Sequence, residues 1–226
     1  MWRVLARAAA TEGERQAFIA RIRRTLLDPQ APDRVHAAES LAKLGTADTA
    51  DEPVLLEWLK TASEPASVYP LWLLVISESR VGPAASEIRL SELLDSSDST
   101  ARLRAAFALG RIKTISASSM ARLTQRLGLE PEDSPVQAYV AAALLRHSTR
   151  DSARPKQVLA DCLARGRPPE QMEAAVALGI TGTAADLPAL GQLLASPEAD
   201  ARIGAASGSL YLLDAERIGF GQSAHP

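Results

Sequence analysis

Histidine and cysteine are the side chains best suited to metal or proton-transfer chemistry, and this chain has few of them. His36, His147 and His225 stand far apart, and neither His-x-x-x-His nor His-Glu-x-x-His occurs. Metal centres draw ligands at short, fixed spacings on one element, so three dispersed histidines do not make one. The single cysteine, Cys162, excludes an intramolecular disulfide and a Cys cluster. Its setting, Val158-Leu159-Ala160-Asp161-Cys162-Leu163, reads as a small buried apolar position. No Gly-x-Ser-x-Gly elbow, P-loop or Gly-x-Gly-x-x-Gly turn appears, and Gly219-Phe220-Gly221 reads as a tail element. No catalytic residue, metal ligand or cofactor is assigned, because convergent polar groups are missing.

The remaining candidates are binding residues. Arg102, Arg104 and Arg111 cluster, and they read as a solvated helix face or as phosphate contacts. The balance of 25 basic and 27 acidic residues gives a formal charge of −2. That leaves no large field of one sign to steer a polyanion, so nucleic acid is not the expected partner. The longest strongly apolar run, Leu71 to Ile76, falls well short of the roughly 18 residues that span a bilayer.

Positioning such residues falls to helices. Hydrophobic residues make up 46% of the chain but aromatics only 4%, and the apolar share is mostly Ala and Leu. Those are helix formers, whereas strands favour β-branched and aromatic residues. An all-α chain follows.

The helices repeat. Residues 33–45 (DRVHAAESLAKLG), 101–113 (ARLRAAFALGRIK), 137–147 (QAYVAAALLRH), 170–182 (EQMEAAVALGITG) and 201–213 (ARIGAASGSLYLL) share a pair of alanines at one spacing after an apolar residue. A degenerate copy, Ser67-Val68-Tyr69-Pro70-Leu71-Trp72-Leu73-Leu74, fills the gap between the first two. The second small position then falls at Ala38, Leu71, Ala106, Ala142, Ala175 and Ala206, at intervals of 33, 35, 36, 33 and 31 residues. An amphipathic segment precedes each copy, as in Ile88, Leu90, Leu93 and Leu94, and Pro, Gly, Asp and Ser punctuate the joints. Each unit is therefore an antiparallel pair, helix A then helix B. Small residues on B permit close approach of neighbouring pairs, and the pairs must stack to bury their apolar faces.

This B-helix pattern resembles HEAT repeats, particularly the short HEAT-like variety also found in phycobilin lyases. The resemblance covers residues 12–213 and implies a right-handed α-solenoid of about six antiparallel helix pairs. Residues 1–11 read as a partial helix, either an N-terminal cap or the end of a preceding B helix in a longer protein. Residues 214–226 read as an irregular tail in which Ile218 and Phe220 cover the last repeat. HEAT-like hydroxylases bind iron through recurring His-Glu pairs, and here no His is followed directly by Glu. HEAT-like DNA glycosylases use a basic concave face with aromatics, which Trp58 and Trp72 alone do not supply.

In such arrays the B helices line the inner surface. The resemblance places two columns along it: His36, Tyr69, Arg104, Val140, Glu173 and Gly204, then Glu39, Trp72, Phe107, Ala143, Val176 and Ser207. Tyr69 to Ile76 is apolar on every face, which fits either a fully buried helix or an exposed docking patch. Pro70 fits the first turn or a kink. The candidate partner-binding residues are Tyr69, Trp72, Arg104, Phe107, His36 and Glu39. The expected function is a non-catalytic protein-interaction or scaffolding module whose partner is a protein or a neighbouring domain of the same polypeptide. A phycobilin-lyase-like chromophore-handling factor is the alternative, and nucleic-acid binding the third.

Overall fold

The computed structural model describes residues 1–77, 83–147 and 153–218. Among them are thirteen α-helices and no strand. In chain order these are α1 (Trp2–Ala8), α2 (Glu12–Leu27), α3 (Arg34–Leu44), α4 (Glu52–Leu59), α5 (Glu64–Ile76), α6 (Pro83–Glu92), α7 (Ser99–Leu109), α8 (Ala117–Leu129), α9 (Val136–His147), α10 (Ala153–Arg165), α11 (Pro168–Thr181), α12 (Leu187–Leu193) and α13 (Ala199–Ile218). From α2 onward they alternate as the six expected A and B segments. The joints carry the physical stops. Thr11 and Glu14 form a capping box at α2. The Asp98 carboxylate accepts from the backbone N–H of Thr100 and Ala101 at α7. Gly45, at φ 65°, ends α3 in the left-handed conformation that glycine adopts without strain.

The chain forms two compact units, Met1–Arg122 and Leu123–Pro226, with the division inside α8. In the first unit α2 packs on α3, α4 on α5 and α6 on α7, while α3, α5 and α7 also contact one another in sequence. Helix α1 packs on both α2 and α3. In the second unit α9 packs on α10, α10 on α11 and α12 on α13, and α9, α11 and α13 make the corresponding B-helix series. Leu26, Leu41, Leu55, Leu74, Leu90 and Leu109 fill the first core, and Leu159 and Leu190 belong to the second. Full burial of each such side chain contributes about 1.5–3 kcal/mol.

The alanine pairs sit where close packing needs them. Ala37 and Ala38, Ala105 and Ala106, Ala141 and Ala142, and Ala174 and Ala175 are all buried. Helices α11 and α13 approach to backbone contact. A Cβ added at Gly204 would stand 2.5 Å from the Cα of Met172, and one at Gly208 2.3 Å from the carbonyl oxygen of Ala175. The backbones therefore meet with no room for a side chain at these two glycines. Through this contact α11 presents Met172, Ala175 and Gly179 to α13. The corresponding positions of α13, each 31 residues on, are Ile203, Ala206 and Leu210, and all three are exposed. Ala206 thus departs from the buried anchors of the other copies.

Two further expectations change. Residues 214–218 are helical, because Asp214, Ala215, Glu216 and Arg217 tolerate helix and no breaker precedes Gly219. The expected covering role of Ile218 and Phe220 concerns side chains outside the described residues, as does His225. Pro70 lies in the interior of α5, not in its first turn. It has no N–H to donate to the carbonyl four residues back, so α5 forgoes one ladder bond there.

Candidate functional site

In the first unit α1, α3, α5 and α7 bring together one connected group of charged and aromatic side chains. The group starts at Glu39 on α3. One turn on, the Lys43 ammonium donates to Glu39 Oε1 at 2.5 Å. One turn back, His36 Nδ1 lies 3.3 Å from Glu39 Oε2. These are the i,i+4 and i,i+3 neighbours that helix geometry places on one face. From α1, Arg7 donates to the Lys43 carbonyl at 3.1 Å.

Aromatic rings carry the group onward. Trp72 on α5 meets Phe107 on α7 edge to face, with centroids 6.0 Å apart and an interplanar angle of 82°. Lys43 Nζ lies 4.7 Å and Arg111 Cζ 4.5 Å from the centroid of Phe107. On the neighbouring ring, Arg104 Cζ lies 5.6 Å from the centroid of Tyr69. Arg104 Nη1 also donates to the Pro65 carbonyl at 3.0 Å, which fixes the guanidinium across α5. Cations held over rings gain from the ring quadrupole, and more so when partly desolvated.

Titration follows the surroundings. Burial alone would raise the Glu39 carboxyl. The hydrogen bond and charge of Lys43, the bond to His36 and the charge of Arg3 outweigh it and hold the group below its usual value. Burial, with the Glu39 charge added, pushes the Tyr69 phenol up to about 12, against the pull of Arg104 and Arg3. At neutral pH Glu39 is therefore a carboxylate and Tyr69 a neutral phenol.

The six sequence candidates all fall in this group, at different depths. His36 is exposed, and Glu39, Arg104 and Phe107 are half-buried. Tyr69 is 6% and Trp72 2% exposed, so both are core side chains of this fold. The eight residues from Ser67 to Leu74 are all buried, which is why the run is apolar on every face. The first column does not line an open surface as expected. Tyr69, Val140 and Glu173 are buried, and Gly204 meets the backbone of α11. That position faces the neighbouring B helix, and only His36 retains full exposure. Lys43, Arg3 and Arg7 carry no expectation from the sequence, and Arg111 enters there only with Arg102 and Arg104, as a solvated face or phosphate contacts. The signal available for Lys43 and Arg111 was spacing, since Lys43 follows Glu39 by four residues and Arg111 follows Phe107 by four.

Other polar sites are internally satisfied. Buried Glu87 on α6 accepts from the Ser116 amide at 3.0 Å, the Ser116 hydroxyl at 2.9 Å and the Ser119 hydroxyl, which ties the start of α8 to α6. Arg102 donates to the carbonyls of Ser96 and Ser97. Cys162 is half-buried, and burial pushes its thiol up to about 11, so little thiolate exists at neutral pH. A shallow depression of about 300 Å³ is lined by Trp2, Arg21, Arg24, Thr25, Asp28 and Ala31, with Arg21 over the Trp2 ring. Among the described residues, no group of three or more His, Cys, Asp or Glu is placed to hold a metal ion, and no helix is long and apolar enough to cross a membrane. Compared with known proteins, the chain matches no protein-family model and none of the curated proteins.

Proposed function

We propose that this protein is a right-handed HEAT-type α-solenoid of six helix pairs that works as a non-catalytic protein-interaction module, and that the B-helix face of its first unit receives the partner. The solenoid reading rests on the 31–36-residue period, on the buried alanine pairs and on the sequential contacts of B helices within each unit. Such stacks present extended surfaces instead of closed pockets. The binding reading rests on one observation: the connected face where Lys43 and Arg111 flank Phe107 and Arg104 covers Tyr69. Aromatic and arginine side chains are the usual anchors of protein interfaces. Here the aromatics are backed by the core and need little ordering on binding.

Selection of a random peptide library on the full chain tests this. Selected peptides should lose binding to the Phe107→Ala protein while its melting temperature stays within a few degrees of the parent. Peptides that bind parent and variant equally would place the interaction elsewhere. An absorbance shift with an added bilin and no selected peptide would favour chromophore handling instead.

A further inference from the structure

We propose that the exposed face of α13 docks helix α1 of a second copy of this chain, a contact separate from the interaction reading above. Helix α13 carries four exposed large apolar side chains, Ile203, Leu210, Tyr211 and Leu213. Ile203, at 57%, and Leu210, at 63%, flank exposed Ala206 along one stripe. On α11 the same three positions are Met172, Ala175 and Gly179, and through them α11 receives α13. The stripe on α13 therefore repeats a surface that already accepts a B helix in this fold.

Helix α1 has the complementary positions open. It packs on α2 as α5 does on α6 and α9 on α10, and on α3 as one B helix does on the next. Its buried Ala6 lies 32 residues before Ala38, in register with the repeat. Two residues before and after Ala6 stand Val4, 64% exposed, and Ala8, also exposed. The same two positions in α13 are Gly204 and Gly208, which meet Met172 and Ala175 of α11. By that register the second copy's Val4 would pack on Ile203, and its Ala8 between Ala206 and Leu210. Val4 and Leu210 stand where the α11–α13 contact has glycines. The helices would therefore pack at the ordinary interaxial distance of about 8–10 Å, without backbone contact.

Charge selects α1 over a second α13 as the occupant. Residues 1–27 hold six arginines against two glutamates, which is +4. Arg23 is bound to Asp48 and Asp51, and setting it aside leaves +3. Residues 183–218 hold five acidic residues against two arginines, which is −3. Two copies of the last helix pair therefore repel each other, whereas the first helices and the last pair attract. A seven-residue helix covers far less than the roughly 1,200 Å² of a stable interface, so the association is weak.

Sedimentation velocity of the full chain from about 10 μM to about 1 mM, the range suited to weak contacts, tests this. The average mass should rise with concentration and fall back as salt rises. Val4→Glu and Leu210→Glu change exposed positions, so each protein should keep the parental melting temperature. Each should weaken self-association about tenfold or more, because a carboxylate enters an apolar contact. Mixed in equal amounts, the two variants should associate with each other, since one still offers α13 and the other α1. Self-association that survives Val4→Glu but is lost in Leu210→Glu, with no pairing in the mixture, would overturn the proposal in favour of an α13–α13 contact. Association indifferent to both substitutions would overturn it too, as would a chain that stays monomeric throughout. None of these results moves the Phe107→Ala peptide test, so the two readings fail separately.

Discussion

Trp72 is where a single side chain separates core from docking anchor. The indole is 2% exposed, and its Nε1 is buried with no hydrogen-bond partner among the described residues. A buried unmade donor costs about 1–3 kcal/mol, while the ring's burial and its edge contact with Phe107 stabilise. The two substitutions at this position therefore diverge. Trp72→Ala should lower the unfolding free energy by about 3–5 kcal/mol in urea denaturation, since it removes a large core side chain and leaves a cavity. Trp72→Phe keeps a ring against Phe107 and deletes the orphan donor, and should cost no more than about 1.5 kcal/mol. A stable Trp72→Ala protein that had lost only partner binding would return the residue to the docking surface. This also explains why a fully apolar helix was ambiguous in the sequence. Apolarity on all faces fits burial and fits a covered patch, and only the depth of Tyr69 and Trp72 separates the two.

At the scale of elements, most of the fold was legible because its signals are local. Capping residues, prolines and the three-and-four spacing of Leu mark helix ends and faces, and all six A and B segments fall where those signals place them. What lies between helices was less legible. The column from His36 to Gly204 could not be oriented from the repeat alone, because a residue between two core positions faces either the groove or the next B helix. Gly204 and Gly208 show which one wins in the second unit. Their lack of side chains lets α13 approach α11 to backbone contact. Gly208→Ala would place a methyl 2.3 Å from the Ala175 carbonyl oxygen and force the helices apart, so its melting temperature should fall by several degrees. Gly191, inside α12, has nothing within 4 Å of an added Cβ. Gly191→Ala should raise stability by about 0.5–1 kcal/mol through helix propensity alone. If both substitutions act in the same direction, close approach is not what glycine provides at position 208.

At the scale of the molecule, the pattern of contacts determines how far damage travels. The main helix contacts in each unit join a helix to its pair-mate or to a helix of the adjoining pair, and each unit has its own buried leucines. A structure built this way has stability that is nearly a sum over repeats and their neighbouring interfaces. Free energies of opening then differ along the chain instead of sharing one global value. Gly208→Val provides the probe, since a branched side chain cannot fit against Ala175 and the disturbance begins in the second unit. Hydrogen exchange should accelerate in α11, α12 and α13, while amides of α3, α5 and α7 keep their parental protection. The cation–aromatic face would then stay assembled in a protein whose second unit opens readily, and its ligand affinity would be unchanged. Uniform acceleration over both units would instead show one cooperative fold, and the repeat-wise account of stability would have to be abandoned.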